Sequence, residues 1–178
     1  VQGNLGATYV EALTPFSNFR ATTERNLRTQ KRTFADGTWR FHPSWQVRGS
    51  VAYDQLNYAL STQRGFNREL NTEVLGIDYL SATKSSVGVQ AGHSSATYVS
   101  FLNNYSQNEF KGKIDWYATG KSRLQFLGGW VERKHDLAPE RDYSGTNARV
   151  VATHQLTGQV GLTANLYREI GSLDDLIN

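Results

Sequence analysis

Apolar and polar residues alternate with period two in about nine segments of this chain, and the segments are joined alternately by short turns and by longer polar loops. A helix repeats every 3.6 residues, so this pattern restricts the chain to β-strands with one apolar and one polar face each. The clearest examples lie in the second half. Val160, Leu162, Ala164 and Leu166 alternate with Gln159, Gly161, Thr163 and Asn165. Phe110, Gly112, Ile114, Trp116 and Ala118 alternate with Lys111, Lys113, Asp115 and Tyr117. Segment 147–156 carries Ala148, Val150, Ala152 and Leu156, with Val151 out of step, and segment 123–131 carries Leu124, Phe126, Gly128 and Trp130, with Leu127 and Val131 blurring the other side.

Earlier segments follow the same rule with more noise: Val47 to Tyr53, Leu75 to Tyr79, Val87 to Ala91, and an opening segment 4–11 with Leu5, Ala7 and Tyr9. Segment 27–41 is the most polar, setting Ala35, Gly37, Trp39 and Phe41 against Arg28, Arg32, Asp36 and Arg40. Turn formers mark the short connections at His42-Pro43-Ser44, Thr83-Lys84-Ser85, Gly120-Lys121-Ser122 and Gly158. The long connections fall near 15–26, 61–70, 100–109 and 135–145. An up-and-down barrel has this rhythm, because its turns gather at one end and its loops at the other. A Greek-key sandwich does not impose it.

Composition agrees. Aromatic residues make up 12% of the 178 residues, with 16 glycines and only 3 prolines, which favours strands and tight turns. Hydrophobic residues make up only 38%, and no run approaches the ~18 apolar residues of a transmembrane helix. A barrel strand needs only every second residue apolar. The absence of cysteine excludes disulfides, thiolate metal sites and a cysteine nucleophile. A net charge of +3 without a clustered patch gives no case for nucleic acid. The opening Val-Gln-Gly-Asn-Leu-Gly has neither a Met nor a basic and apolar signal segment, so position 1 reads as a processed or truncated start.

The expected fold is therefore all-β: an up-and-down antiparallel transmembrane β-barrel, of which residues 1–178 form one segment of about nine strands. Single-chain bacterial barrels close with an even strand number, and open edges in lipid leave backbone groups unpaired. An odd count thus points to a partial chain, incomplete at both ends, of a larger barrel.

Four stretches carry a family resemblance: Asn26-Leu27-Arg28-Thr29-Gln30, Gly120-Lys121-Ser122-Arg123-Leu124, Arg141-Asp142-Tyr143-Ser144-Gly145, and Tyr167-Arg168-Glu169-Ile170-Gly171-Ser172-Leu173-Asp174-Asp175-Leu176. From about residue 15 onward the chain resembles the EpsL-type outer-membrane proteins, β-barrel porins encoded with exopolysaccharide and exosortase operons. The resemblance implies a Gram-negative outer-membrane location, and a role in moving or securing an exported polysaccharide, with no catalytic residues. It also implies further strands beyond both ends.

On this reading Arg28, Arg32, Arg40, Arg48, Lys111, Lys113, Arg123 and Arg149 line the lumen, where a cationic wall favours anionic solutes such as uronic-acid polymers. The plainer alternative is that any water-filled barrel has charged walls, with Asp36, Asp54, Asp78, Asp115 and Glu73 offsetting the arginines. Tyr9, Trp39, Phe41, Trp45, Tyr79, Trp116 and Trp130 are candidates for an aromatic girdle at headgroup level, while Tyr98, Tyr105 and Tyr143 sit in expected loops as sugar contacts. The histidines have no metal-ligand spacing. Gly-x-Ser-x-Gly is absent, and Gly120-Lys121-Ser122 lacks the upstream glycine of a phosphate loop. The expected partners are outer-membrane lipid, an anionic polysaccharide and other export proteins, with no cofactor and no enzymatic activity. Two further readings stay open: an anchor that conducts nothing, and a soluble β-sandwich that binds carbohydrate.

Overall fold

The structure, a computed structural model, describes residues 1–13, 27–100 and 103–169. It contains nine strands: β1 (Gln2–Leu13), β2 (Leu27–His42), β3 (Trp45–Tyr58), β4 (Arg68–Leu80), β5 (Ser86–Tyr98), β6 (Tyr105–Thr119), β7 (Ser122–His135), β8 (Tyr143–Gln155) and β9 (Gly161–Arg168). They form one sheet in sequence order, each strand antiparallel to the next. Two short 3-10 turns, Ser61–Phe66 and Pro139–Arg141, lie wholly within the described residues. β1 and β9 are the sheet's outer strands and do not pair with each other, so the sheet is open.

The expected number and order of strands hold, but several strands run further toward the long loops than the alternation suggests. β4 begins at Arg68 and β6 at Tyr105, inside stretches that read as loop. The reason lies on the second face. Near the loops the side that is apolar elsewhere carries Glu69, Asn71 and Glu73 on β4, and Ser106 and Asn108 on β6. With polar residues on that face, and Leu70 and Val74 on the charged face of β4, the usual period-two contrast is lost from the sequence while the backbone ladder continues. The loop near 15–26, Asn26 and the stretch Ile170 to Leu176 lie outside the described residues.

The short connections gather at one end. Pro43-Ser44 joins β2 to β3, and Gly120-Lys121 joins β6 to β7, each beside a small register shift. Lys84 closes the β4–β5 turn in the left-handed region, φ 65°. At the opposite end the long connections are hydrogen-bonded to one another. Ser100 N–H donates to Gly65 O (3.2 Å) and Asp136 N–H to Asn104 O (3.1 Å). Arg141 Nη1 donates to Asn103 Oδ1 at 2.7 Å. Leu60, Gln63 and Ala138 are buried within this rim.

Burial is inverted between the two faces. Leu56 (2% exposed), Asp78 (0%) and Val131 (0%) are the largest fully buried side chains, and all three belong to the face that carries the charges. Leu75 (63%) and Phe110 (59%) are exposed on the other face, together with Trp39, Trp45, Ile77, Val89, Ile114, Trp116 and Trp130. Leu127, Val131 and Val151, which disturb the alternation, fall on the charged face by register. They fill it between polar side chains.

Candidate functional site

Register assigns every strand residue to a face. Arg28, Arg32, Arg40, Arg48, Lys111, Lys113, Arg123 and Arg149 all share the charged face, because β2 and β3 present even positions there and β6, β7 and β8 odd ones. Arg68 and Arg133 join them, making ten cationic strand residues against five acidic ones: Asp36, Asp54, Asp78, Glu109 and Asp115. The strands' opposite face carries Glu11, Glu69, Glu73 and Glu132 against Lys31, Lys134 and Arg168. Glu73, expected among the carboxylates that offset the arginines, therefore points away from them: it lies opposite Val51 and His93 on the apolar side.

Asp78 organises the centre of the charged face. Its carboxylate accepts from Arg48 Nε at 2.5 Å and Arg48 Nη2 at 3.1 Å, and from Gln46 Nε2 at 3.0 Å; Lys113 Nζ stands 3.8 Å away. The cluster spans β3 to β6 because β5 contributes no side chain at this level. Gly88 pairs with Asp78 on one side and with Lys113 on the other. A Cβ at position 88 would collide with Asp78 Oδ1 and with Ile77 O. Gly92 leaves a similar gap further along β5: its Cβ would lie 2.9 Å from Glu109 Cγ, and Glu109 accepts from Lys111 Nζ at 2.7 Å. Two carboxylates from flanking strands thus lie over two glycines of β5.

Other pairs follow toward the turns and loops. Arg123 makes a two-pronged bond with Asp115 (2.7 and 2.6 Å), and its guanidinium lies 5.0 Å from the Tyr117 ring centroid. Asp54 accepts from Gln30 Nε2 at 2.7 Å, and Gln30 in turn accepts from Arg28 at 3.4 Å. Among the described residues Arg32, Arg40 and Arg149 make no ion pair. Seven of the eight expected basic residues therefore divide: Arg48, Lys111, Lys113 and Arg123 have a carboxylate within ion-pair distance, Arg32, Arg40 and Arg149 have none among the described residues, and the eighth, Arg28, bonds to Gln30.

The tyrosines expected in loops are strand residues. Tyr98 and Tyr105 end β5 and begin β6, on the charged face, and both are buried, so neither is presented for sugar stacking. Tyr98 and Ala96 pack with Tyr105 and Leu70 into a small apolar cluster at the loop end. Arg68 Nη1 donates to Tyr98 Oη at 3.3 Å, and the guanidinium of Arg133 lies 4.2 Å from the Tyr105 centroid. Sequence pattern missed Arg68 and Arg133 because each falls where the face that is apolar elsewhere carries charged residues, Glu69 beside Arg68 and Glu132 and Lys134 beside Arg133. The parity of Trp130 three residues earlier was the available clue.

On the apolar face, Tyr9, Trp39, Phe41, Trp45, Tyr79, Trp116 and Trp130 are all present and exposed. Trp45 meets Tyr79 edge-on at 5.3 Å and Trp39 meets Phe41 at 5.7 Å, both near the turns. Toward the loops the last apolar positions are aromatic again on three strands, Tyr53 on β3, Phe110 on β6 and Trp130 on β7, while on β1 Tyr9 is followed on the same face by Leu13. Tyr53 and Phe110 complete this upper line and were not picked out from sequence as girdle residues. Among the described residues no group of three or more His, Cys, Asp or Glu side chains is placed to hold a metal.

The fold and its faces define a class: an antiparallel up-and-down sheet whose exposed face is the apolar one. No family model, no curated protein and no solved structure matches the chain.

Proposed function

We propose that this sheet is part of the wall of a transmembrane β-barrel in a Gram-negative outer membrane, with its apolar face against acyl chains and its charged face around water. The observation that carries the reading is the inverted burial. Exposed apolar patches of soluble monomers rarely exceed a few hundred Å². Here the patch continues across nine strands, and no second sheet covers it among the described residues.

Register supports the membrane orientation. Leu5, Ala7 and Tyr9 of β1 centre on Ala7, whose cross-strand row runs through Thr33, Tyr53, Asn71, Ser95 and Ser106 to Lys134 on β7. Those of β9 centre on Ala164, whose row runs through Ala152 to Leu124 on the same strand. The two rows meet β7 ten residues apart (134 minus 124), a drift accumulated over eight strand steps. At about 3.4 Å per residue and about 4.8 Å per strand, a level apolar band requires the strands to tilt by roughly 40°. Membrane barrels tilt by about 35–45°. Closing a sheet into a barrel requires a tilt of this size.

Backbone groups on an open edge in lipid have no partner, so closing the wall requires further strands beside β1 and β9, from elsewhere in the polypeptide or from other chains. The enclosed face carries twice as many cations as anions, which favours an anionic solute. With the family resemblance, this supports export or retention of an anionic extracellular polysaccharide as the role. The test is direct. Purified protein should require detergent, show heat-modifiable migration, and pass anions in preference to cations in planar bilayers. A folded, monodisperse protein in plain buffer overturns the membrane reading. Detergent-dependent protein that inserts without conducting leaves the anchoring role instead.

A further inference from the structure

Arg133 is a buried cation on the charged face, and unlike the more exposed Arg48 and Arg123 it has no carboxylate partner among the described residues. It is 8% exposed, and a charge withdrawn from water is costly unless an opposite charge meets it. Arg48 and Arg123, whose side chains keep 26% and 38% of their exposure, are nevertheless paired with Asp78 and Asp115. Arg133 is not: its Nε donates to the neutral Gln107 Oε1 at 2.9 Å, and its guanidinium stacks on Tyr105. Both nearby glutamates are taken. Glu132 lies on the opposite face and pairs with Lys134 at 3.0 Å, and Glu109 is held by Lys111. No carboxylate engages the Nη fork of Arg133 among the described residues.

The fork is nevertheless held in place. Tyr105 supports the guanidinium plane and is itself packed on His135, with centroids 5.8 Å apart, while Gln107 fixes the Nε edge. A planar, positioned pair of Nη donors matches the two oxygens of a carboxylate or phosphate. Tyr143 stands directly across the ladder from Arg133, and its hydroxyl lies over Gly145, within 2.5 Å of where a Cβ would be. The Tyr143 side chain thus lies on the charged face of the strand next to Arg133, with its hydroxyl toward the level of Val131.

We propose that Arg133, Gln107, Tyr105 and Tyr143 form a binding site for the oxyanion group of an anionic solute at the loop end of the charged face. The proposal rests on the lumen reading above and deepens it, since it names the group recognised and the residue that recognises it. Arg133 supplies the charge, Tyr105 and Gln107 orient it, and the Tyr143 hydroxyl donates to the same oxyanion.

The test is calorimetric titration of the full chain in detergent with trigalacturonate, maltotriose and inorganic phosphate as probes. Trigalacturonate should bind and maltotriose should not. Arg133→Gln should weaken trigalacturonate at least about tenfold, as expected for loss of a charge-assisted contact, with Arg133→Lys between the two and Tyr143→Phe weakened less. Phosphate that displaces trigalacturonate assigns the site to a bare oxyanion. Phosphate that fails to displace it, with the dependence on Arg133 intact, assigns the site to a carboxylate presented on a sugar. Equal binding by wild type and Arg133→Gln, or equal binding of trigalacturonate and maltotriose, overturns the site. Should Arg133→Gln not fold, unchanged affinity in both Arg133→Lys and Tyr143→Phe overturns it equally. Heat-modifiable migration and anion conductance are read on the same preparations, so failure of the barrel is told apart from failure of the site.

Discussion

The carboxylate of Asp78 occupies the space that a side chain at position 88 would need: Oδ1 lies where the Cβ of any residue but glycine would project from Gly88. The two residues are direct partners in the β4–β5 ladder. Because Gly88 leaves this gap, Lys113 on β6 can reach back toward a carboxylate two strands away. Gly88→Ala should push Asp78 off its partners at a cost of about 1–3 kcal/mol, the usual penalty for overpacking. Gly120→Ala and Gly158→Ala, where a Cβ meets nothing within 4 Å and φ is not positive, should stay within about 0.5 kcal/mol of wild type. Urea titration in micelles, followed by tryptophan fluorescence, reads all three. Equal effects at 88 and 120 would remove the cradle from the account.

Asp78 and Arg48 should not be equivalent. Removing Asp78 leaves Arg48 and Lys113 facing each other without an anion, whereas removing Arg48 leaves Asp78 still accepting from Gln46 with Lys113 nearby. Asp78→Asn should therefore destabilise by on the order of 3 kcal/mol, as when one partner of a buried pair is lost, and Arg48→Gln by clearly less. The same titration checks the order. The reverse order would mean that Lys113 contributes nothing to holding the carboxylate.

The division of the basic residues predicts which of them set selectivity. A cation with a carboxylate within about 4 Å presents little net field to a passing ion, so Arg48, Lys111 and Arg123 are largely silent. Arg32, Arg40 and Arg149 have no ion-pair partner among the described residues. The triple change Arg32→Gln, Arg40→Gln, Arg149→Gln should cut the anion-to-cation permeability ratio by about half or more, following the loss of uncompensated charge from the wall. Reversal potentials in a salt gradient measure it. An unchanged ratio rules out a cationic lumen built on these residues.

How far the sequence reveals this arrangement depends on contrast between the faces. Where Val87, Val89 and Ala91 stand against Gly88, Gln90 and Gly92, side-chain class alone gives strand and face, and the eight basic residues were placed together by parity. Where Glu69, Asn71 and Glu73 take the apolar positions, the contrast is gone and the start of β4 reads as loop until the ladder is seen. Pairings were beyond reach for another reason. Gly88 looks like any strand glycine until register brings Asp78 against it, and the difference between Arg123 and Arg149 is the presence of Asp115 beside only the first. Tyr98 and Tyr105 read as loop residues because each sits at the end of its strand, where the ladder and not the pattern decides.

The orientation of the apolar face can be tested by depth. Ile114 lies midway along the apolar run of β6, between Phe110 and Trp116, whereas Asn108 lies on the same face of the same strand beyond the upper aromatic line. In a barrel the first meets acyl chains and the second meets headgroups or water. Arginine at the bilayer midplane costs about 2–4 kcal/mol and near the interface about 0–1 kcal/mol, so Ile114→Arg should be strongly destabilising and Asn108→Arg nearly neutral. Folding into vesicles of defined thickness adds a second reading, because a shorter acyl chain brings position 114 closer to water and should lower its penalty while leaving position 108 unchanged. A penalty at 114 that ignores bilayer thickness would assign the apolar face to protein packing, since a partner sheet, unlike a bilayer, does not change when the lipid is exchanged.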